Sequence, residues 1–173
     1  MPLELARYAI VRWIDQTGRS DVLVFGPAGN GTVRGTEIGD LFEENPYRGL
    51  RRVIDISGDG PNNDGAPVTG ARDAAVEKGI IINGLPIMVK EPSYSTIDIE
   101  NLDLYYEDCV IGGPGAFIMT IKDREKFQAA IRTKLVREVA GLTPESGIVP
   151  AVAKEPRVPC LIGESRWQER RVR

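Results

Sequence analysis

The densest group of chemistry-bearing residues is one run, Asp55-Ile56-Ser57-Gly58-Asp59-Gly60-Pro61-Asn62-Asn63-Asp64-Gly65. Two roles are open to Asp59. Its carboxylate could ligate a divalent cation, or it could fold back on its own backbone in an Asx turn. Asn62, Asn63 and Asp64 could add oxygen ligands, and the same residue types populate ordinary loops. Asp55, Asp59 and Asp64 together would be the acidic set of a metal-assisted phosphoester hydrolase. Two-metal chemistry, however, needs several carboxylates converging around ions about 4 Å apart. One loop supplies few, and no general base is evident. Asp55 also lies inside the apolar run Val53-Ile54-Asp55-Ile56, which marks it as a buried, hydrogen-bonded strand residue rather than a ligand.

The elements around this run give it a position. Residues 53–56 are apolar and mostly β-branched, the pattern of a buried strand. Gly58 and Gly60 end the strand, and a helical pattern covers residues 67–78, with Gly79 as the C′ residue that stops it. Strand, glycine-bearing loop and helix in that order put Asp59 at the carboxyl end of a strand, where open α/β sheets bind ligands. Upstream, residues 6–14 and 21–25 read as two strands of a hairpin, with Trp13 in the core. Thr36 is a helix N-cap for a short helix over residues 36–44, ended by Asn45-Pro46.

Downstream, residues 80–88 read as a strand buried on both faces, and residues 90–96 as a loop. Residues 99–109 form a helix burying Leu102, Tyr105, Tyr106 and Cys109 at i, i+3, i+4 and i+7. Gly112-Gly113-Pro114-Gly115 precedes a strand over residues 116–121 rather than a helix, so it is not a phosphate cradle. Asp123 caps a last helix reaching residue 139, with Phe127, Ile131, Leu135 and Val139 on one stripe. The alternation from residue 52 onward predicts an α/β fold with a mostly parallel sheet and helices on both faces. Residues 1–141 form the domain. Residues 142–173 form a partly docked tail with one strand over residues 158–162.

Composition narrows the function classes. The 173 residues are 42% hydrophobic and 27% charged, with a net charge of −3, which gives no support to a nucleic-acid partner. Arg166, Arg170, Arg171 and Arg173 make a basic end that reads as solvated. No apolar run approaches the roughly 20 residues of a membrane span. The absence of histidine removes histidine triads, imidazole bases and most zinc sites. Cys109 and Cys160 are too few for a cysteine-rich metal site. They are either two free buried thiols or a disulfide, which would stabilise by ~4 kcal/mol for a loop of this length.

Five segments carry a resemblance. They are Val53-Ile54-Asp55-Ile56-Ser57-Gly58-Asp59-Gly60-Pro61-Asn62-Asn63, Ala71-Arg72-Asp73-Ala74-Ala75, Ile82-Asn83-Gly84-Leu85-Pro86-Ile87, Tyr105-Tyr106-Glu107-Asp108-Cys109-Val110-Ile111-Gly112-Gly113-Pro114-Gly115-Ala116-Phe117 and Pro159-Cys160-Leu161-Ile162-Gly163-Glu164. Over residues 50–165 the chain resembles a bacterial family of von Willebrand factor A-like domains with no assigned function. The resemblance implies a three-layer fold with one antiparallel edge strand. It also implies a metal-ion-dependent adhesion site built from an Asp-x-Ser-x-Ser loop, a threonine and an aspartate. Thr36 would be that threonine and Asp59 that aspartate, together holding Mg²⁺ weakly. No Asp-x-Ser-x-Ser loop precedes residue 36, and Asp55-Ile56-Ser57-Gly58-Asp59 only mimics one. The chain is therefore expected to lack the N-terminal strand and helix of the fold. Family members look exported, which would favour a Cys109–Cys160 disulfide and a periplasmic or secreted location. As written, without a signal sequence, the chain would be cytoplasmic.

The functional expectation is a non-enzymatic binding module that recognises a protein partner through Mg²⁺ at Asp59 and Thr36. The alternatives are the phosphoester hydrolase above and a truncated scaffold with no active site.

Overall fold

Val53, Ile54 and Ile56 lie in the strand around which the other elements assemble. In the computed structural model, the described residues are 8–14, 20–25, 51–63, 67–89, 99–139 and 155–171. The expectations for residues 36–44 and 90–96, for Asp64, and for the side chains of Trp13 and Val139 lie outside them. The described elements run β1 (Tyr8–Ile14), β2 (Ser20–Phe25), β3 (Arg51–Gly58), α1 (Val68–Glu77) and β4 (Ile80–Pro86). Next come α2 (Leu102–Tyr105), a π-helical turn (Tyr106–Val110), α3 (Phe127–Val139) and α4 (Ile162–Arg171). The fold is α/β. Among the described residues, no helix is long and apolar enough to cross a membrane.

The sheet order is β2-β1-β3-β4. β1 and β2 pair antiparallel, as a hairpin should. β1 also pairs antiparallel with β3, placing Ile10 opposite Asp55, whereas β3 and β4 are parallel, with Asp55 opposite Asn83. The four-stranded sheet is thus mixed rather than mostly parallel. Apolar runs identify strands, but they do not encode which way a hairpin docks on the edge of a βαβ unit.

Two apolar clusters form against alternating positions of β3 and β4. Ile56 and Ile118 pack against Leu102, Tyr105, Tyr106, Cys109 and Val110. Leu85, Ile87 and Ile121 pack against Phe127, Ala130 and Ile131 of α3. Asp55 belongs to this second side. It is 5% exposed, and the Nζ of Lys134, itself 3% exposed, donates to its Oδ1. Lys134 also lies 5.7 Å from the centroid of the Phe117 ring. An ammonium in such a place is stable only when paired, and Asp55 is the pairing group.

Three boundaries differ from the sequence expectation. Residues 116–121 run beside β4 through isolated bridges, Gly84 with Ile118 and Ile87 with Ile121, rather than as a continuous strand. Pro86 lies between those bridges and has no N–H to donate, so the ladder is interrupted there. α3 starts at Phe127. Asp123 instead accepts the Glu125 N–H at 2.9 Å and closes the turn before the helix. The strand expected over residues 158–162 is not formed. Val158 is buried there, and Ile162 opens helix α4.

Gly84 fits because it has no side chain. A Cβ at this position would lie 2.7 Å from Tyr106 Cδ1 and 3.0 Å from Ile111 Cγ2. Gly84→Ala is expected to lose about 1–3 kcal/mol in urea unfolding through overpacking. Gly60→Ala, which would meet nothing within 4 Å, should stay within about 0.5 kcal/mol. Lys134→Met should destabilise by about 3–5 kcal/mol, because it removes the cation paired with a buried carboxylate. Adding Asp55→Leu to it should recover most of that loss.

Candidate functional site

The loop after β3 lies at the strand's carboxyl end. Gly58 and Pro61 are buried, whereas Asp59, Gly60, Asn62 and Asn63 are partly exposed. Its start is held by the Ile87 N–H, which donates to the Gly58 carbonyl at 2.8 Å. Two tyrosines support it from below. The Tyr106 hydroxyl approaches Gly58 so closely that a Cβ there would meet it at 2.8 Å. The Tyr105 hydroxyl accepts the Asn62 N–H at 3.1 Å. The two rings are 6.2 Å apart and steeply inclined, an edge-to-face arrangement.

Tyr105 and Tyr106 both point inward because they stand three and four residues after Leu102, on one helical face. After Tyr105 the backbone widens into a π turn, with the Ile111 N–H donating to the Tyr106 carbonyl at 3.0 Å. The turn buries Tyr106, Cys109 and Val110 together. Arg72 of α1 secures its end by donating from Nη1 to the carbonyls of Asp108 and Cys109, at 3.0 and 3.2 Å.

The C-terminal segment closes over the other side of the loop. The Asn62 amide donates to Glu164 Oε1 at 2.6 Å. Gly163 is buried against Asn62 and Pro61, leaving no room for a Cβ. Cys109 and Cys160 are joined in a disulfide, with Cα atoms 5.5 Å apart. Arg157 grips the π turn by donating to both oxygens of Asp108 and, at 2.6 Å, to Glu107.

Of the residues singled out in the sequence, Asp59 lies at the loop, partly exposed and close enough to Tyr106 to act on it electrostatically. Thr36 lies outside the described residues, so its distance from Asp59 is not defined. Asp55 is turned away from the loop and engaged by Lys134. Among the described residues, no group of three or more His, Cys, Asp or Glu side chains is placed to hold a metal ion. Glu164, Lys134 and the tyrosine hydroxyls are site or core residues that sequence reasoning misses. Lys134 does leave a signal. It follows Ile131 by three residues on the apolar stripe of a helix, and the run 53–56 holds one unexplained acid.

The local field is visible in the tyrosines. Burial pushes the Tyr105 hydroxyl up to about 12, with the Asn62 N–H opposing the shift and the Glu164 charge adding to it. Tyr106 is raised further by burial, then by Tyr105 and Asp59.

Taken together, these features define an α/β protein whose loop at the end of an internal strand is pinned between two buried tyrosines and a disulfide-held helix. The chain belongs to the family described as "Protein of unknown function (DUF1194)", whose model matches residues 32–143. Comparison with curated proteins and with solved structures gave no match.

The raised tyrosines have a signed consequence. A folded-state value above the unfolded value of 10.0 means that the native state binds its proton more tightly. That contribution is whole below about pH 10 and is lost as pH rises towards 12. Each tenfold tightening of proton binding is worth about 1.4 kcal/mol. Urea melts between pH 8 and 12 should show stability falling above pH 10 in the parent, with a shallower fall in Tyr105→Phe.

Proposed function

We propose that this chain is a non-enzymatic binding module of the von Willebrand factor A-like type, which engages a protein partner through a weakly held Mg²⁺ at the carboxyl edge of its sheet. The observation that carries the reading is the place of Asp59. It is a partly exposed carboxylate one residue beyond an internal strand, on a loop whose backbone is fixed from below. Apolar clusters on alternating positions of the sheet, one holding Ile56 of β3 and the other Leu85 of β4, support the three-layer form of the fold.

The donor set suits a weak site. Asp59 offers a carboxylate and Thr36 would offer a hydroxyl, both hard oxygens, and Mg²⁺ tolerates few protein ligands because it retains several waters. When bound, the ion would supply an open position for a carboxylate of the partner. Asp59 would anchor it, and the tyrosines beneath would keep the loop from collapsing when the partner pulls on it. The hydrolase alternative is less well supported, because the Asp55 carboxylate is committed to Lys134 in the core. An exported location accords with the Cys109–Cys160 bond, since such bonds persist in oxidising compartments.

Thermal melts and calorimetry with Mg²⁺ or Mn²⁺ test the metal. At about tenfold excess over Kd, stabilisation of about 1.4 kcal/mol is expected, and Asp59→Ala should abolish it. No response to millimolar cation, or an equal response in Asp59→Ala, would remove the metal from this reading.

A further inference from the structure

The disulfide, the exposed outer part of α4 and a buried orphan oxygen on Glu164 converge on one device. We propose that residues 160–171 form a thiol-labile strap over the β3 loop, which a dithiol reductant releases by opening Cys109–Cys160.

The segment is attached in two unequal parts. Upstream of the bond, the chain is anchored without it. The Arg157 backbone N–H and its guanidinium donate to Asp108, and Val158 is buried in the tyrosine cluster. Beyond the bond, the first turn of α4 docks on the loop and the tyrosine cluster. Ile162 is partly buried against the same cluster, Gly163 abuts the loop, and Glu164 accepts from Asn62. Leu161 is 51% exposed, and Ser165, Arg166, Gln168 and Glu169 are all exposed. A ten-residue helix is marginal in water without tertiary contacts.

Docking also carries a penalty. Glu164 Oε2 is buried with no hydrogen-bond partner, so a carboxylate oxygen has been desolvated without return. Release of the helix returns that oxygen to water. The covalent bond is what keeps such a contact closed.

The chemistry of release follows from the two sulfurs. Cys109 is fully buried, whereas Cys160 is partly exposed, so the reductant enters at Cys160. A thiolate of an external dithiol attacks Cys160 Sγ and forms a mixed disulfide, and Cys109 leaves as a thiolate that takes up a proton. The second thiol of the reductant then attacks its own sulfur in the mixed disulfide and expels Cys160 as a thiolate, which is protonated in turn. Two electrons and two protons pass to the protein, and the dithiol becomes a cyclic disulfide. The freed Cys109 thiol has the Val158 carbonyl 3.7 Å away to receive its hydrogen. The loop carrying Asp59 then loses its cover.

The inference stands on these contacts and not on the cation, so it is tested with chelator present, which separates its failure from that of the Mg²⁺ reading. Hydrogen exchange read by mass spectrometry on the full oxidised chain, with and without dithiothreitol, gives the readout, and maleimide labelling counts the thiols formed. The expected result is two thiols and about tenfold faster exchange in residues 60–63 and 162–171. Residues 53–56 and 127–136 should be unchanged, and re-oxidation should restore the original pattern. Cys160→Ser should show the released pattern without reductant. If that variant does not fold, the reduced parent alone decides. A bond that resists the dithiol under native conditions, unchanged protection after reduction, or loss of protection spread into β3 would each overturn the proposal.

Discussion

The close approach of Tyr106 to the sheet is the constraint on which most of the described structure depends. Its ring rests where Gly84 has no side chain, and its hydroxyl reaches the backbone at Gly58. Interiors are packed tightly enough that a single added carbon at either position must displace something. With Tyr106 fixed, the π turn sets Tyr105 beside it, and Tyr105 meets the Asn62 N–H. The same turn places Cys109 against the tail. The loop after β3 therefore has its shape dictated from beneath, by a helix more than forty residues away in sequence.

The opposite side of the sheet is organised by charge. Asp55 and Lys134 are both buried, and removing two charges from water consumes most of what their attraction returns. Their contribution is better understood as specificity than as net stability. A lone acid on β3 accepts α3 in only one register, the one that brings Lys134 opposite it and sets it near the Phe117 ring. Asn83, next to Asp55 across the parallel ladder, accepts the Phe117 N–H at 3.1 Å and continues the polar seam. A helix whose apolar stripe alone would slide along a flat sheet is fixed by this seam.

Local patterns make the elements legible and leave their relations hidden. The i, i+3, i+4, i+7 spacing of Leu102, Tyr105, Tyr106 and Cys109 identifies the buried face of that helix, and all four are buried. It cannot reveal the π register, because a widened turn leaves the same residues apolar. Gly79 stops α1 as its position suggests, with φ at +71. Residues 158–162 look like a strand because Val158, Leu161 and Ile162 are apolar. Their exposures differ, however, and the segment turns into a helix whose exposed residues carry the charges. The pairing direction of the β1–β2 hairpin, the Asp55–Lys134 contact and the Asn62–Glu164 contact are long-range choices. They depend on which surfaces meet, and no window of sequence contains them.

The acids at the loop each bear on one of the tyrosines beneath it. Glu164 adds to the rise of Tyr105 and Asp59 to that of Tyr106, each less than burial does. Burial is the larger effect, because a phenolate formed there would lose its water. Docking of α4 has a cost of its own, since it leaves Glu164 Oε2 buried without a hydrogen-bond partner. Departure of α4 would return that oxygen to water, so the loop is covered by a contact that the Cys109–Cys160 bond secures.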